Sequence, residues 1–463
     1  MILKRRGMYY YMTSLMMGID PTLTRYRTGL WAAFFAGVFA CAPFDGFAAD
    51  TLISPDDPGI NYFGRFDFSN PKTPRFNWCG STIECMVSGS TTVGMEITDG
   101  AGYYDVEVDG AVQSAPVYAN SWSSKKYALA TGLSSGSHVI RIIHRNEPYW
   151  AIATLSGIYL SSGATLLPWA KPPRTMEFCG DSWTAGYFVE ACADQQLNTN
   201  ANKSWARLTS KAFKAQDVIL AESGICLVQK SGGRTCFPKK YPGTFDTTGG
   251  IPTPLWNFSS WIPDIVSIFL GINDKNSGVS DNDFITAVHS FVNTIRGNYP
   301  NASILFIALT GDMDQAAKTA VAAETTTLGH KGVYYLECTI TATGCQYHPT
   351  VAEDKKIADS VIATIKRITG WDTTQSSATL EAKCGAYPTA HLNVGRIDRG
   401  ALLISAYRGA AGGPILIVNA HGQVVKQLQL DASHQCRWNT AETSEGMYFI
   451  GGLETGWKRV SVP

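Results

Sequence analysis

Strand-like runs alternate with helix-like patterns from residue 174 to about residue 370, and this alternation limits the fold more than any other feature of the chain. Residues 265–270 are apolar and rich in β-branched side chains, which is typical of a strand buried on both faces. In residues 284–295 the apolar positions instead recur three and four apart, which predicts an amphipathic helix. The alternation therefore predicts a parallel sheet covered by helices on both faces.

Three short polar motifs follow strand-like runs within this region. In chain order they are Gly180-Asp181-Ser182, Gly271-Ile272-Asn273-Asp274 and His348-Pro349. A hydroxyl, an amide and an imidazole at the carboxyl ends of neighbouring strands are the groups that acyl transfer requires. Taken singly, each motif has an ordinary structural explanation, such as a helix cap for Ser182 or a turn for Asn273. Their joint occurrence favours catalysis.

The spacing assigns a role to each of these residues. Ser182 is the expected nucleophile, at the point where a strand gives way to a helix N-terminus. His348 is the expected general base, because of the eight histidines it alone lies on a turn after a strand and directly before a stiffening proline. The amides of Ser182 and Gly224 and the side chain of Asn273 are candidates for an oxyanion hole. A plain turn glycine is the alternative for Gly224.

Two further β-rich regions flank the α/β region. Residues 50–170 hold short alternating runs and the hairpin signal Asp109-Gly110, which together predict a β-sandwich or jelly roll. Prolines near residue 170 mark a boundary, so the α/β domain is expected over residues 171–370. A Ser/Thr-rich linker is expected over 371–399, and a small C-terminal β-sandwich over 400–463. The chain is thus expected to be multidomain.

The N-terminus predicts export. A basic stretch, an apolar run over residues 29–42 and small residues near 48 are typical of a secretory signal, here expected over residues 1–49. The apolar run is shorter than the ~20 residues that a membrane span needs. Lipid attachment at Cys41 is the weaker alternative, because Phe39 is too bulky for that signal. Ten of the 11 cysteines follow this segment, which favours at least two disulfides in an exported protein.

Charge and motif content exclude several classes of partner. The chain has 38 basic and 38 acidic residues, so no net positive charge favours nucleic acid or a membrane surface. No HExxH or comparable ligand set is present, so neither a metal nor another cofactor is expected. Trp261 and Tyr347, close to the motifs in sequence, are candidates for stacking on a sugar ring, although packing is the commoner role for such residues. Trp183, next to Ser182, is a third candidate for substrate binding, as a bulky side chain that narrows the pocket.

The motif set over about residues 174–370 resembles the SGNH (GDSL-type) hydrolase family. Together with the preceding β-region, the chain is similar to carbohydrate esterase family two. That narrower similarity is carried by Gly64-Arg65, Trp78-Cys79-Gly80-Ser81, Val106-Glu107-Val108-Asp109-Gly110, Ser223-Gly224, Trp261-Ile262-Pro263-Asp264 and Gly344-Cys345-Gln346-Tyr347-His348-Pro349. The resemblance implies a three-layer, flavodoxin-like hydrolase domain behind a jelly roll. It also implies deacetylation of plant polysaccharide such as xylan or glucomannan.

The chain departs from the superfamily pattern beside the histidine. The usual acidic partner stands three residues before the histidine, where this chain has Cys345, and Gln346 follows. We therefore expect a Ser–His dyad in which a backbone carbonyl orients the imidazole, as in some members of family two. Three remote acids are available in principle, but surface charge explains them better: Asp312, Glu353 and Asp354.

The combined expectation is a secreted, monomeric serine carbohydrate esterase that acts on acetylated polysaccharide or oligosaccharide. One alternative is a carbohydrate-binding protein with a catalytically weak hydrolase domain, which the missing acid makes reasonable. Another is a lipase or thioesterase of the same superfamily, although no long apolar lid segment favours it. The last 60 or so residues resemble the sorting or Ig-like domains of secreted bacterial enzymes.

Overall fold

The computed structural model describes residues 50–230, 233, 235–246 and 254–373, together with seven strands between residues 392 and 462. The expected signal segment 1–49 and most of the expected linker lie outside the described residues. In the described part of the chain, no helix is both long enough and apolar enough to cross a membrane.

The first domain is a ten-stranded sheet whose paired strands are antiparallel. The strands are β1 (Thr51–Ile53), β2 (Ile60–Phe63), β3 (Arg75–Phe76), β4 (Thr82–Ser88), β5 (Thr92–Val108), β6 (Ala111–Val112), β7 (Val117–Thr131), β8 (Ser137–His144), β9 (Ala153–Leu160) and β10 (Thr165–Leu167).

Strand β5 organises this sheet. It is 17 residues long, pairs with β7 and β9 over its first part, and pairs with β8 over its last part. Because β5 changes partner along its length, the sheet stays continuous while it curves around a single apolar core. Side chains of β4, β5, β8 and β9 pack together in this core. The β-rich domain expected before residue 170 is therefore present, as one sheet that folds over on itself.

The second domain is an α/β domain. Its strands are β11 (Thr175–Gly180), β12 (Gln216–Ala221), β13 (Ile265–Phe269), β14 (Ser303–Leu309) and β15 (Val333–Cys338). Its helices are α1 (Ser182–Ala185), α2 (Gln195–Asn198), α3 (Trp205–Ala212), α4 (Phe237–Lys240), α5 (Ile272–Asn276), α6 (Asp281–Asn298), α7 (Asp314–Thr326) and α8 (Val351–Thr369). Two 3-10 turns accompany them, Ala201–Lys203 and Cys345–Tyr347.

All five strands of this sheet are parallel, in the order β12-β11-β13-β14-β15. That order is the flavodoxin-like one, with its switch point between β11 and β13. One apolar core lies between the sheet and α6 and α7, and a second lies between the sheet and α3 and α8. The predicted helix over 284–295 falls inside α6, where Phe284, Val288 and Val292 are buried as the periodicity requires.

The two domains share their cores. Trp78 packs into the core under α6 and α7, and Cys79 packs into the core under α3 and α8. The guanidinium group of Arg65 is buried in the α/β domain, where it donates to the Gly243 carbonyl at 2.8 Å and pairs with Glu177 at 3.3 Å. Because a buried arginine needs its partners in fixed positions, these contacts define one orientation of the β-domain.

The described strands of the C-terminal region form two sheets. They are β16 (Leu392–Asp398), β17 (Ala401–Ala406), β18 (Ile415–Asn419), β19 (Val424–Leu428), β20 (Gln435–Asn439), β21 (Gly446–Gly452) and β22 (Gly456–Val462). One sheet has the order β16-β17-β20 and the other β19-β18-β21-β22. The rings of Trp438 and Tyr448, one from each sheet, lie edge to face with centroids 5.2 Å apart. A small sandwich stays the prediction for this region, and this contact favours it.

Candidate active site

Ser182 is placed by a tight strand-to-helix turn. Strand β11 ends at Gly180, and Ser182 is the first residue of α1. The Asp181 side chain caps this short helix by accepting a hydrogen bond from the Trp183 amide at 3.0 Å. A Cβ at position 180 would lie 2.0 Å from the Thr184 hydroxyl and 3.1 Å from the Phe269 carbonyl. Only glycine therefore fits the turn that presents Ser182.

His348 lies in the turn before α8, near the C-terminal end of the domain in sequence, and its ring contacts Ser182. Its Nε2 lies 2.7 Å from Ser182 Oγ. Its Nδ1 lies 2.9 Å from the Gln346 carbonyl oxygen and 3.2 Å from the Cys345 carbonyl oxygen. Because both neighbours of Nδ1 are acceptors, the ring proton belongs on Nδ1, and Nε2 is left to accept from the Ser182 hydroxyl.

In the described part of the chain no carboxylate bonds to His348. Asp354 and Glu353 are buried, so the interpretation of these two as surface charge is wrong. Asp354 accepts from the Trp205 amide at 2.9 Å, and Glu353 closes the capping box of α8. Asp312 is partly buried in the turn before α7. Burial lowers the pKa of His348, against the opposing effect of its two carbonyl contacts.

Cys345, which stands where the superfamily has its acid, is bonded to Cys192. The two cysteines are 153 residues apart in sequence, and their Cα atoms are 5.1 Å apart. Sequence spacing did not indicate this pair. Six further described cysteines are thiols, so neighbours in sequence such as Cys79 and Cys85 are not bonded to each other: Cys79, Cys85, Cys179, Cys226, Cys236 and Cys338. Cys384 lies outside the described residues, so the second disulfide expected from the sequence stays a prediction.

The oxyanion-hole candidates converge on the same sheet edge. Asn273 is the second residue of α5, directly after the strand β13, and its Nδ2 donates to the Ile225 carbonyl at 3.1 Å and to Asp181 at 3.3 Å. Gly224 lies in the turn after β12 with a φ of +77°, a conformation that favours glycine. The next side chain, Asp274, accepts from two backbone amides of the 224–228 loop, both at 2.9 Å. These bonds fix the loop against α5.

Asp181 carries an unusual charge state. Its carboxyl group is fully buried, and burial raises its pKa to about 7, with the nearby carboxylates Asp274 and Asp312 adding to the effect. The bond from the Trp183 amide opposes the shift. Asp181 therefore changes charge near neutral pH, beside Asn273 and one residue from the nucleophile.

The three aromatic candidates have different fates. Trp183 is a core side chain, packed edge to face on Phe269 at 5.7 Å, so its assignment to substrate binding is not supported. Trp261 precedes β13 and therefore lies at the amino edge of the sheet, where its indole nitrogen donates to Gln216. Ser182 lies at the opposite, carboxyl edge, so the prediction that Trp261 contacts substrate is wrong. Tyr347 is 86% exposed and directly precedes His348, which leaves it as a candidate contact for substrate.

Two residues that sequence reasoning missed support the site. The ring of Tyr187 packs on the ring of His348, with centroids 4.6 Å apart. Glu147, which comes from the β-domain and is fully buried, accepts from the Ser223 amide at 2.5 Å and from the Tyr149 hydroxyl at 2.6 Å. It thus holds the turn that leads into Gly224. Tyr187 lies only five residues after Ser182, so its nearness was a usable signal, whereas nothing local marks Glu147.

Among the described residues, no group of three or more His, Cys, Asp or Glu side chains could hold a metal ion. What the arrangement provides is a serine hydroxyl bonded to a neutral imidazole, next to amide donors at a helix start. These are groups for nucleophilic attack on a carbonyl carbon.

Comparison with known families agrees with this arrangement. The family "Carbohydrate esterase 2 N-terminal" matches residues 62–170, and "GDSL-like Lipase/Acylhydrolase family" matches residues 178–338. The chain is an SGNH (GDSL-type) hydrolase that resembles the family-two carbohydrate esterases. The two matched stretches correspond to the folded-over β-domain and to β11 through β15.

Named relatives of this SGNH hydrolase are carbohydrate-active enzymes. The chain is 30% identical over 333 residues to "Cellulase/esterase CelE" of Acetivibrio thermocellus, covering 68% of itself but 40% of that protein. It is 27% identical to "Acetylxylan esterase / glucomannan deacetylase" of Cellvibrio japonicus, covering 69% of itself and 91% of that enzyme. The structure of a family-two carbohydrate esterase from Clostridium thermocellum in complex with cellohexaose has a TM-score of 0.62, with 29% identity over 68% of this chain and 100% of that one.

Proposed function

We propose that this protein is a serine esterase that removes O-acetyl groups from a polysaccharide or oligosaccharide, with xylan and glucomannan as the first substrates to test. The observation that carries the proposal is the 2.7 Å contact of Ser182 Oγ with His348 Nε2, whose ring is held from behind by two carbonyls. The naming of a Cellvibrio relative as an acetylxylan esterase and glucomannan deacetylase supports the choice of substrate.

In the proposed reaction, Ser182 Oγ attacks the acetyl carbonyl carbon while His348 Nε2 takes its proton. The negative charge that develops on the carbonyl oxygen is stabilised by the amides of Ser182 and Gly224. The Asn273 side chain joins them by exchanging its long bond to Asp181, at 3.3 Å, for one to the oxyanion. The intermediate then collapses, and His348 returns the proton to the departing sugar oxygen. Water next attacks the carbonyl carbon of the acetyl-serine ester and gives a proton to His348. As this second intermediate collapses, His348 returns the proton to Ser182 Oγ, acetate leaves and the serine hydroxyl is restored.

A backbone carbonyl can replace part of what a carboxylate does. The carbonyls of Cys345 and Gln346 fix the tautomer and orientation of His348 through Nδ1–H. They carry only partial charge, so they stabilise the transient imidazolium less than a carboxylate would. We therefore infer a Ser–His dyad with correct geometry and reduced electrostatic support.

Export to the cell exterior is part of the proposal. It is supported by the signal-like pattern of residues 1–49 and by the Cys192–Cys345 disulfide, since disulfides persist in oxidising compartments. A C-terminal sandwich and a monomeric state complete the proposed organisation. N-terminal sequencing of the exported protein and its mass in solution are the corresponding measurements.

The deciding experiment measures acetate release from acetylated xylan and acetylated glucomannan, beside p-nitrophenyl acetate and a long-chain p-nitrophenyl ester. Ser182→Ala should abolish release on every substrate, whereas Ser290→Ala, which alters an exposed serine on α6, should match the wild type. Faster turnover of the long-chain ester than of any acetate would contradict the proposal and favour a lipase or thioesterase.

Carbohydrate binding with little catalysis is the second candidate function, because no described carboxylate supports His348. The solved relative with bound cellohexaose makes that oligosaccharide a suitable probe. Calorimetric binding of cellohexaose by a folded wild type that releases no acetate would favour this candidate over the esterase.

A further inference from the structure

We propose that the Cys192–Cys345 disulfide is a positioning element of the active site, which holds the turn that orients His348 in the place where the superfamily has a carboxylate. The inference rests on the proposed esterase function. It gives the cysteine at position 345 a role in the reaction that its chemistry alone would not suggest.

The turn beside the histidine is built from Cys345 itself. The Cys345 carbonyl accepts from the backbone amide of His348 at 3.0 Å and lies 3.2 Å from the ring Nδ1. The amide of Gly344 donates back to the His348 carbonyl at 3.0 Å. Any shift of the Cys345 backbone therefore moves both the main chain and the ring of His348.

This turn adopts a backbone conformation that its residues do not favour. Gln346 and Tyr347 have φ values of 50° and 61°, in the left-handed region that is costly for residues with a side chain. Both side chains are exposed, so packing contributes little to keeping them there. The bond from the Tyr187 hydroxyl to Gln346 is long, at 3.4 Å. The disulfide at Cys345 adds a covalent restraint to this turn.

The other half of the disulfide is anchored on the β-domain. Cys192 lies two residues after Glu190, which forms ion pairs with Arg145 and Lys203. Arg145 is buried at the end of β8, and it also pairs with Asp105 at 3.2 Å and donates to the Leu197 carbonyl at 2.6 Å. The segment around Cys192 is thus fixed on both sides of the cysteine by a charged network.

The same segment has a second attachment to the β-domain. Asn146, which follows Arg145, donates to the Gln196 carbonyl at 2.6 Å, and Gln196 in turn donates to the Ala101 carbonyl. The disulfide consequently ties the turn before His348 to a firm base in another domain. This connection also gives the β-domain a part in catalysis beyond any contact with substrate.

Opening the disulfide should leave Ser182 and His348 present but their mutual geometry loose. Misplacement of a catalytic group by about 1 Å costs on the order of 100-fold in rate. We expect kcat to fall about 10- to 100-fold, with KM changed less than about threefold, because the turn orients the base rather than binding the acyl group.

The bond is accessible to a reductant. Cys192 is exposed, so dithiothreitol can attack it. The two thiols of dithiothreitol supply two electrons and two protons. The Cys192–Cys345 bond is reduced to two thiols, and dithiothreitol is oxidised to its cyclic disulfide. Activity should fall on reduction and return on reoxidation.

The test compares oxidised wild type, dithiothreitol-reduced wild type and Cys192→Ser/Cys345→Ser on p-nitrophenyl acetate and acetylated xylan. Circular dichroism checks folding, and mass spectrometry checks the redox state. We expect the reduced protein and the double variant to show the same lowered kcat, and the variant to be insensitive to dithiothreitol. If reduced, folded wild type keeps its full kcat, the proposal is wrong.

A rescue variant separates positioning from general stability. Cys192→Ser/Cys345→Asp restores a carboxylate at the superfamily position without restoring the cross-link. We expect it to regain at least about fivefold in kcat over the double serine variant, and to move the acid limb of the rate profile to higher pH, because a carboxylate raises the pKa of a neighbouring histidine. Equal kcat and equal pH profiles for the two double variants would overturn the proposal.

An NMR measurement keeps the inference separate from the esterase assignment. The Nδ1 proton of His348, held between two carbonyls, should exchange slowly in the oxidised protein and rapidly after reduction. If oxidised wild type releases no acetate, the proposed function fails, while this signal still reports on the turn. A signal that is unchanged by reduction would overturn the positioning role, whatever the activity.

Discussion

Ser182 is positioned by residues within a few positions of it in sequence. His348 is instead positioned by a turn whose Cys345 is disulfide-bonded to Cys192, 153 residues earlier in the chain. On the serine side, Gly180 permits the sharp turn and Asp181 caps the helix that begins at the nucleophile. On the histidine side, two non-glycine residues occupy left-handed conformations, and a disulfide adds the restraint. A site can therefore combine one half encoded locally with one half that depends on the assembled fold.

Removal of the imidazole should have the largest effect on this comparison. His348→Ala leaves Ser182 Oγ without the acceptor at 2.7 Å, so the hydroxyl stays protonated and weakly nucleophilic. We expect kcat/KM on p-nitrophenyl acetate to fall about 10⁴-fold or more, as for members of catalytic triads. His138→Ala, which alters a histidine on β8 paired with Asp109 in the β-domain, is the matched control and should retain wild-type rates. A loss below about tenfold for His348→Ala would mean that the base lies elsewhere.

A smaller effect is expected from damage to the local half. Gly180→Ala introduces a Cβ 2.0 Å from the Thr184 hydroxyl and 3.1 Å from the Phe269 carbonyl, so β11 and α1 must separate and Ser182 must shift. We expect kcat to fall on the order of 100-fold, and overpacking to lower the free energy of unfolding by about 1–3 kcal/mol. Activity assays and urea denaturation measure the two effects.

The control for this substitution is a glycine with open space around it. Gly297 lies on α6, and no heavy atom outside its own helix backbone and chain neighbours lies within 4 Å of the place where an alanine Cβ would stand. Gly297→Ala should retain full activity and raise the free energy of unfolding by about 0.4–1 kcal/mol, through the lower entropy of the unfolded chain. If Gly180→Ala behaves like Gly297→Ala, the turn tolerates a side chain and the local half is less constrained than the geometry indicates.

The same division explains what the sequence could predict. Ser182 and Asn273 follow buried strands directly, so their meeting at the carboxyl edge was predictable from strand polarity alone. Trp261 also precedes a motif in sequence, but the five residues of β13 separate it from that edge by roughly 16 Å. Local spacing could not reveal which cysteine pairs with Cys345, nor that Glu147 of the β-domain holds the turn before Gly224.

Two acidic residues that the sequence predicts to be exposed are buried in the structure. Glu353 and Asp354 lie in the first turn of α8, where acidic residues usually favour the helix dipole and face water. The structure buries both because each has a backbone amide to accept from, at Thr350 and Trp205. The bond from Thr350 to Glu353 follows the local capping-box pattern, whereas the bond from Trp205 to Asp354 is a long-range contact that a single sequence does not display.

The smallest expected effect concerns the acid limb of the rate profile. His348 acts as a base only when neutral, so the rate falls as the pH falls through its pKa. Burial lowers that pKa below its ordinary value of about 6.5, and no described carboxylate bonds to the ring to raise it. The acid limb of kcat/KM on p-nitrophenyl acetate should therefore have its midpoint below about pH 6.5.

Asp181, with a pKa of about 7, is the competing source of an acid limb in this range. Asp181→Asn separates the two: it keeps a helix-capping side chain but cannot titrate, so the limb should persist in that variant. A limb that disappears with Asp181→Asn would assign the titration to the serine half of the site, and a limb above about pH 6.5 that persists would mean that His348 has a charged partner after all.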